Sequence, residues 1–505
     1  MTTSARYDHV VAGAGASGMT AALLLAGMGR KVLLVEAAPD IGGSMVRFRR
    51  DGVPFDTGFH FTGGFEQNGL LCDMLRVLGL RDAIRPQHYM NDESNRFVFE
   101  STGESFCFPP TRDRLQARLK ADFPEEAEAV ETYFAKIDAV RDRTANMDLR
   151  RIGESPEPLE EDFVSLRDML DALTGNERLK TLLAAYGMCY GVAPGEVSFA
   201  THARICQGLY EEMVRVERGG EAFVEAYRDA LASAGVEVRC ACRIEKCEEV
   251  EGHLVGAFRL SDGSRATFDS AVLTMHPKTI LDLLPKEYLR NAFVHRVSEF
   301  EPSIGFFAVF AVCEDDAIDD CMTTLFPDAD LDRLYESGGR DLDSALFFVS
   351  GMETCDDGVR RRTLTALETS HPADLAEWAD SSLGRRPPAY GRYKAERTRR
   401  IMERIERRFP SLRGRYEVLT SSRVLSFRDH LHSPDGSAYG VKQRIGQFNL
   451  FGKLPLRNLY VAGQSSLLPG IMGAMMSAFI VVRALVDKEA FSSFVQNKLA
   501  EGKTR

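Results

Sequence analysis

Apolar runs and helix-forming stretches alternate at the start of the chain. Residues 9–12 form a short run with β-branched side chains, residues 19–28 are rich in Ala and Leu, and residues 31–35 form a second apolar run. Short β-branched runs predict buried strands, whereas the Ala- and Leu-rich stretch predicts a helix. A strand, a helix and a second strand in this order predict a parallel βαβ unit, and therefore an α/β fold class.

The middle of the chain contains a second helical pattern and further strands. Val130, Phe134 and Ile137 fall on one face of a predicted helix, and residues 303–312 and 344–349 are predicted strands rich in Phe. These phenylalanines suit two arrangements, a sheet packed on helices or the lining of a long apolar cavity. The pattern alone leaves both open.

Composition and charge narrow the class of protein. The chain has 505 residues, of which 44% are hydrophobic and 27% charged, so it can bury a large core in two or three domains. The formal net charge is −11, and no block of Lys and Arg resembles a phosphate-tracking stripe. We therefore expect no nucleic-acid partner.

Cysteine usage and the absence of long apolar stretches predict the compartment. Ten cysteines are scattered without a CxxC or other metal-like spacing, so we expect a reducing compartment and no metal site. The start of the chain enters a folded pattern at once, which predicts no signal peptide. The most apolar stretch, residues 471–482, is shorter than the ~20 residues needed to span a bilayer. We expect a cytoplasmic protein, with peripheral membrane association left open.

The loop after the first predicted strand carries the motif GAGASG at residues 13–18. Gly13 permits a tight turn, Gly15 lets the backbone approach a pyrophosphate, and Gly18 lets the helix pack closely on the strand. The start of the following helix offers unpaired N–H groups and a positive dipole end to the phosphates. This full context predicts a dinucleotide site rather than an ordinary glycine-rich turn.

An acidic residue and a second glycine pair follow the second predicted strand. Glu36 lies about 20 residues after the glycine motif, where an acidic side chain accepts ribose hydroxyls. Gly42 and Gly43 come shortly afterwards and predict that the chain passes over the cofactor again. The segment FDTGFHFTGG at residues 55–64 then places one histidine, His60, between two phenylalanines and among glycines.

This order of motifs resembles the flavoprotein amine oxidase and phytoene desaturase superfamily, in which a glycine pair and an FDxGxH-type segment follow the ribose-binding acid. The segment at residues 55–64 is similar to that of the all-trans-retinol saturases and carotenoid isomerases. The resemblance covers nearly the whole chain and implies FAD as the cofactor.

Two more pieces carry the resemblance. The pair Gly219-Gly220 looks like a turn that opens a helix, and a strand follows that in the family lays its backbone along the adenine, here at Ile244. Near the end, residues 458–463 predict a strand that ends in glycine and leads into a helix, which in the family closes the flavin site. The candidate FAD-binding residues are Gly13, Gly15, Ala16, Ser17, Gly18, Glu36, Ala37, Gly42, Gly43, Ser44, Gly58, Phe59, His60, Ile244, Gly463, Gln464, Gly470, Ile471, Gly473 and Ala474.

The resemblance also implies a domain organisation. We expect a Rossmann-like, GR2-type FAD-binding domain with an inserted α+β substrate domain. The FAD-binding domain would be discontinuous, over residues 1–110, 215–300 and 415–505. The substrate-binding domain would comprise residues 111–214 and 301–414.

The implied activity is flavin-dependent oxidation or reduction of carbon–carbon bonds. A lipophilic isoprenoid, polyene or retinoid-like substrate would exchange a hydride with flavin N5 in desaturation or saturation. The alternatives are a polyene cis–trans isomerase with no net electron change, an amine oxidase and a non-catalytic FAD-binding protein. Amine oxidases usually carry an aromatic cage and often a flavin-linking cysteine, and residues 464–468 provide neither.

Few side chains are candidates for chemistry or substrate contact. His60 would donate or accept a proton, position the flavin, or merely support the glycine loop. Tyr439 and Gln464 are candidates for the substrate side, and Arg47 is one of three arginines, with Arg49 and Arg50, that could reach a phosphate. NAD(P)H, a quinone, oxygen and a carrier protein all remain open as the transient electron partner.

Overall fold

The computed structural model describes residues 4–88, 92–93, 95–155, 157–332, 335 and 343–501. The strands are β1 Ser4–Ala12, β2 Val32–Val35, β3 Arg47–Arg50, β4 Val53–Asp56, β5 Pro86–His88, β6 Asn95–Phe99, β7 Ser105–Cys107, β8 Val214–Val216, β9 Glu237–Arg239, β10 Ile244–Glu251, β11 Leu254–Leu260, β12 Arg265–Leu273, β13 Gly305–Cys313, β14 Cys321–Phe326, β15 Leu346–Thr354, β16 Arg360–Ser370, β17 Tyr416–Ser422, β18 Gly452–Lys453 and β19 Leu459–Val461. The helices are α1 Ala16–Gly27, α2 Leu70–Val77, α3 Arg112–Asp122, α4 Ala127–Arg143, α5 Leu166–Leu173, α6 Glu177–Leu183, α7 Phe199–Glu211, α8 Gly220–Ser233, α9 Pro277–Leu283, α10 Asn291–Ser298, α11 Pro388–Arg408, α12 Val424–Leu431, α13 Gly470–Leu485 and α14 Lys488–Glu501.

The first sheet is built around the predicted βαβ unit. Strand β1 pairs in parallel with β2 on one side and with β12 on the other, and β12 also pairs in parallel with β19. The full order is β10-β11-β12-β1-β2-β9, with β19 beside β12 and β18 beside β19. Because β9 also pairs in parallel with β2, the carboxyl ends of five parallel strands meet at one edge, which is where open α/β sheets bind their ligands.

The second sheet has the order β17-β13-β16-β15-β14-β6-β7 and is largely antiparallel. Its strands β13 and β15 cover the two Phe-rich segments predicted from the sequence. Strands β6, β7 and β17 lie in this sheet, although the predicted ranges assign their residues to the FAD-binding domain. Their pairing shows that the second sheet draws strands from beyond the two predicted inserts.

The Phe-rich strands serve both arrangements left open by the sequence. In β13, Phe306 and Phe310 belong to a core shared with the helices before β8, whereas Phe307 and Val309 pack in a separate core with α11. Successive residues of a strand point to opposite faces of the sheet. One face of the second sheet therefore packs on α11, and the other packs on the helices before β8 and also supplies Phe306 and Phe347 to the lining of a cavity.

Candidate functional site

The glycine motif after β1 forms a tight turn supported by backbone contacts. Gly13 has a φ of +97°, and its N–H donates to the carbonyl oxygen of Val35 at 2.8 Å. A Cβ on Gly18 would lie 1.8 Å from the carbonyl oxygen of Gly13, so only glycine lets α1 pack here. A Cβ on Gly15 would meet nothing within 4 Å, because Gly15 lines a large cavity. The space above Gly15 is therefore available to a ligand.

Glu36 joins the two segments that flank this cavity. Its Oε2 accepts a hydrogen bond of 2.6 Å from the N–H of Ala14, and its Oε1 accepts one of 2.7 Å from the N–H of Ala38. A carboxylate oxygen has a second lone-pair site, so each oxygen can still accept a ligand hydroxyl. Glu36 and Ala37 both line the cavity, as a ribose-binding segment requires.

The second glycine pair packs directly on the first glycine loop. The N–H of Gly42 donates to the carbonyl oxygen of Ala14 at 2.8 Å, and a Cβ on Gly43 would lie 3.1 Å from the Cα of Gly15. Gly42 and Gly43 have φ angles of +125° and +55°, a region that favours glycine. The two loops thus form one wall of the cavity.

The C-terminal helix α13 points its N-terminus at the same cavity. Gly463 follows β19, and its N–H donates to the hydroxyl of Ser477 at 2.7 Å. Gly470, Ile471 and Gly473, in the first turn of α13, line the cavity. The unpaired N–H groups and the dipole of this helix can stabilise negative charge on a bound ligand.

The large cavity has a volume of about 1280 Å³ and reaches nearly every candidate FAD-binding residue. Gly18 and Gly42 do not line it, because each packs against protein: Gly18 on Gly13, and Gly42 on Val224. Tyr439 also lines the cavity. The structure therefore brings motifs from both ends of the chain to one place.

The aspartate of the FDTG segment has a structural task that sequence reasoning missed. Asp56 Oδ1 accepts hydrogen bonds from the N–H of Gly220, at the start of α8, and from Arg47 Nε, at 2.9 and 3.0 Å. Arg47 also donates to Glu353, at 2.7 Å from Nη2. The backbone of Gly219, with a φ of +54°, turns so that the N–H of Gly220 reaches the carboxylate of Asp56. The sequence shows Asp56 and the Gly219-Gly220 pair as two separate motifs, and no signal in it predicts that the two are in contact.

The three arginines considered for phosphate contact lie elsewhere. Arg47 is held by Asp56 and Glu353, and the exposed Arg49 lies 3.4 Å from Glu221. Arg50 lies beside Asp51, and none of the three lines the large cavity. The structure thus gives no support to a phosphate contact by these side chains. The backbone N–H groups of the glycine loop remain the candidates for phosphate contact.

His60 lies where the glycine segment meets the second sheet. Its Nε2 is buried and has no hydrogen-bond partner in the part of the chain that the structure describes. Burial lowers the pKa of His60 to about 4; Asp56 acts in the opposite direction, and Arg215 and Arg47 add to the lowering. The imidazole is therefore neutral near pH 7. Its ring centroid lies 6.2 Å from that of Phe347 on β15.

Beyond His60 the large cavity becomes an apolar chamber. One face of the second sheet and the neighbouring loops supply its wall, with the side chains Phe61, Met188, Cys189, Phe306, Phe347, Leu367, Phe427 and Tyr439. The ring of Tyr439 packs edge-on against Phe306 with centroids 6.3 Å apart, and burial raises the pKa of Tyr439 well above its usual range. Gln464 donates to the carbonyl oxygen of Ala438 at 3.3 Å. Such a chamber suits a long apolar ligand.

The residues that the structure describes contain neither a membrane-spanning helix nor a metal-binding cluster. No helix there is both long and apolar enough to cross a bilayer. No group of three or more His, Cys, Asp and Glu side chains is placed to hold a metal ion.

Comparison with known proteins agrees with this geometry. Residues 16–348 match the family described as flavin containing amine oxidoreductase. The all-trans-retinol 13,14-reductase of Danio rerio is 24% identical over 96% of this chain and 87% of its own length. The hydroxyneurosporene desaturase of Rubrivivax gelatinosus is 30% identical over 52% of each chain. An oxidoreductase structure from Methanosarcina mazei covers 94% of this chain and 99% of its own with a TM-score of 0.65 and 14% identity.

Proposed function

Because the chain belongs to the flavin-containing amine oxidoreductase family, we propose that it is an FAD-dependent oxidoreductase acting on carbon–carbon bonds of a lipophilic, isoprenoid-type substrate. One observation carries this proposal: a single cavity joins the glycine loops of a dinucleotide site to an apolar chamber. The similarity to a retinol reductase over 96% of the chain supports this substrate class. The same similarity favours saturation of a double bond over desaturation.

The residues around the cavity fit FAD. The open space above Gly15 would accommodate a pyrophosphate, the carboxylate of Glu36 could accept ribose hydroxyls, and Ile244, which lines the same cavity, would lie beside the adenine. The volume of about 1280 Å³ exceeds that of most single-ligand pockets, so a dinucleotide and a substrate fit together. When bound, the flavin supplies hydride transfer at N5.

The protein contributes position, exclusion of water and control of one proton. The apolar chamber aligns an extended substrate and keeps water from the reacting carbons. The N-terminus of α13, at Gly470, would stabilise negative charge on a flavin ring bound in the cavity. His60 stands between the glycine segment and the chamber and either transfers the proton or fixes the ring position. We also propose that Tyr439 contacts the substrate, since its ring lines the chamber.

The isomerase alternative differs in electron balance. An isomerase would need reduced FAD but would return the substrate at the same oxidation level. We favour net redox because the reductase similarity spans 96% of the chain. Product mass separates the two reactions: saturation adds two hydrogens, and isomerisation adds none.

The decisive experiment is an anaerobic turnover assay with the purified flavoprotein. The chemically reduced enzyme is mixed with retinoids and carotenoids, flavin reoxidation is followed by absorbance, and products are identified by mass spectrometry. Reoxidation with a product two hydrogens heavier supports saturation. Bleaching of the oxidised enzyme by a more saturated substrate would instead support desaturation, and failure of every polyene in both states would refute the proposal.

Replacing His60 with Ala tests its role in this reaction. We expect FAD to be retained and turnover to fall by about 100-fold, the typical contribution of a positioned acid or base. The measurements are the flavin content and the rate of the reoxidation step. Full activity in the variant would contradict both the proton-transfer and the positioning roles.

The electron partner and the site of action are separate proposals. We propose that an external donor such as NAD(P)H visits the flavin transiently, since the sequence holds one convincing dinucleotide motif. Anaerobic bleaching by NADH or NADPH would support this, and bleaching only by a quinol or carrier protein would exclude it. We also propose peripheral membrane contact, because lipophilic substrates partition into membranes. Co-sedimentation of the protein with lipid vesicles tests this contact.

A further inference from the structure

A second cavity lies on the other side of His60. It has a volume of about 810 Å³, and His60 lines both this cavity and the large one. At its inner end stand the largely buried ion pair Arg47–Asp56 and the half-buried Arg215. At its outer end stand the exposed side chains of Arg218 and Asp356, which are 50% and 57% accessible. The second cavity therefore leads from solvent to His60.

The wall of the second sheet changes from apolar to polar across His60. Along β15, Phe347 lines the large cavity, and Val349, Gly351 and Glu353, on the same face, line the second cavity. Along β16, Leu367 belongs to the large cavity, and Thr365 and Thr363 belong to the second. Water can occupy a cavity of this size with polar walls, whereas the Phe, Leu and Met side chains of the apolar chamber offer water few hydrogen-bond partners. His60 marks the boundary between the two.

The proposed reaction needs a proton at this boundary. Saturating a double bond adds a hydride to one carbon, from the reduced flavin, and a proton to the other carbon, from an acid. The side chains of the apolar chamber are mostly Phe, Leu and Met, and burial raises the pKa of its two exchangeable groups, the thiol of Cys189 and the hydroxyl of Tyr439, so neither is a ready acid near pH 7. In desaturation, the same proton would have to leave.

We propose that the second cavity is the proton route of this enzyme, in which His60 passes a proton between solvent in the second cavity and the reacting carbon in the apolar chamber. A neutral imidazole suits this task because one nitrogen accepts a proton while the other donates one. The lowered pKa of His60 keeps the ring neutral between transfers. The charged groups that face the ring are Asp56, Arg47 and Arg215, from β4, β3 and β8. This inference rests on the proposed function.

The test is to plug the second cavity without touching the apolar chamber. Thr365 lines only the second cavity, so Thr365→Phe should obstruct it, and Thr365→Ser is the matched control that keeps the hydroxyl and adds no volume. We expect T365F to retain its flavin, to lose at least tenfold in the rate of flavin reoxidation by substrate, and to show a larger solvent isotope effect. T365S should stay within about twofold of the wild type.

Combining the plug with loss of His60 separates a proton route from general damage. If both act on one path, the double variant His60→Asn/Thr365→Phe should be no slower than His60→Asn alone, because the route is already broken. Independent, multiplicative losses would overturn the proposal, as would wild-type rates in T365F. An inactive wild type would instead refute the proposed function.

Chemical rescue keeps the proposal testable if T365F does not fold. His60→Gly leaves room for a small acid, and added imidazole should restore turnover by at least tenfold in the flavin-loaded variant. Absence of rescue over a full imidazole titration, with flavin still bound, would overturn the proposal. Flavin absorbance shows in each case that the site itself is intact.

Discussion

At the scale of single residues, burial and hydrogen bonding give the histidines different tasks. His202 is fully buried, and its two ring nitrogens lie 2.7 Å from the hydroxyl of Tyr133 and 2.9 Å from that of Tyr190. Burial lowers the pKa of His202 to about 3, so it is a neutral structural group near pH 7. His60 is also neutral, but its Nε2 has no partner in the described structure. His276 also has a buried Nε2 with no hydrogen-bond partner among the described residues but lines only the large cavity, whereas His60 lines both cavities, and this position makes His60 the candidate functional histidine.

Replacing His202 with Gln should make stability less dependent on pH. A histidine whose pKa is lowered by folding stabilises fully above its unfolded pKa of about 6.5, and this contribution is lost as pH falls toward the folded value. We expect H202Q to be less stable by about 2 kcal/mol at pH 7.5, because hydrogen bonds to buried tyrosines are disturbed. The gap to wild type should narrow between pH 6.5 and 4.

Urea unfolding at several pH values measures this gap. His295→Gln is the control, because the side chain of His295 is 75% exposed and its replacement should change stability little at any pH. A gap that stays constant from pH 7.5 to pH 5 would show that titration of His202 is not linked to folding.

At the scale of elements, glycines of one loop serve either the fold or the ligand. Gly18 sits under α1 with no room for a Cβ, since the carbonyl oxygen of Gly13 would be 1.8 Å away. Gly15 has room on the protein side and faces the large cavity. Glycine is therefore required at the two positions for different reasons, close packing at Gly18 and close approach of a phosphate at Gly15.

The variants Gly15→Ala and Gly18→Ala should fail differently. We expect G15A to unfold like the wild type when flavin-free but to bind FAD at least tenfold more weakly, because the added methyl occupies the pyrophosphate space. G18A should lose about 2 kcal/mol of stability through overpacking. Thermal unfolding of flavin-free protein and fluorescence titration with FAD measure the two effects.

Gly175→Ala is the matched control for this comparison, because a Cβ there would meet nothing within 4 Å and Gly175 lies outside both cavities. It should change neither stability nor affinity by a measurable amount. If G15A bound FAD as tightly as the control, the assignment of the space above Gly15 to the pyrophosphate would be wrong.

At the scale of the whole molecule, one cluster of charges joins the cofactor segments to the second sheet. Arg47 pairs with Asp56 on β4 and with Glu353 on β15, and Asp56 also accepts the N–H of Gly220 on α8. The side chain of Arg47 is only 6% exposed. The position of His60 relative to both cavities depends on this junction, because His60 follows Asp56 closely in the chain.

Replacing Arg47 with Met should destabilise the molecule by about 3 kcal/mol, because two largely buried carboxylates lose their cation. Arg49→Met is the matched control on the same strand, where the exposed side chain contributes less than about 1 kcal/mol. Urea unfolding midpoints give the comparison. Equal stability of the two variants would mean that the junction does not hold the sheets together.

The sequence allowed the residues that line the large cavity at the glycine loops to be predicted because their signals are local. The spacing of Gly13, Gly15 and Gly18 within one strand–turn–helix unit reports a geometric need that no distant residue can meet. The domain boundaries were harder to predict, because β6 and β17 pair with strands that are far away in the chain. Sheet pairing is non-local, and the apolar pattern of a strand does not say which sheet it joins.

Local chemistry in the sequence by itself determined the α/β class, the two glycine loops, the acidic Glu36 at the end of the second strand and the candidate histidine. Only the tertiary structure decided that Asp56 holds Gly220, 164 positions away, and Arg47 holds Glu353, 306 positions away. It also decided that His60 stands between an apolar and a polar cavity. The physical reason is that these features arise where distant segments pack together, and hydrophobic periodicity encodes which face of an element is buried but not its partner.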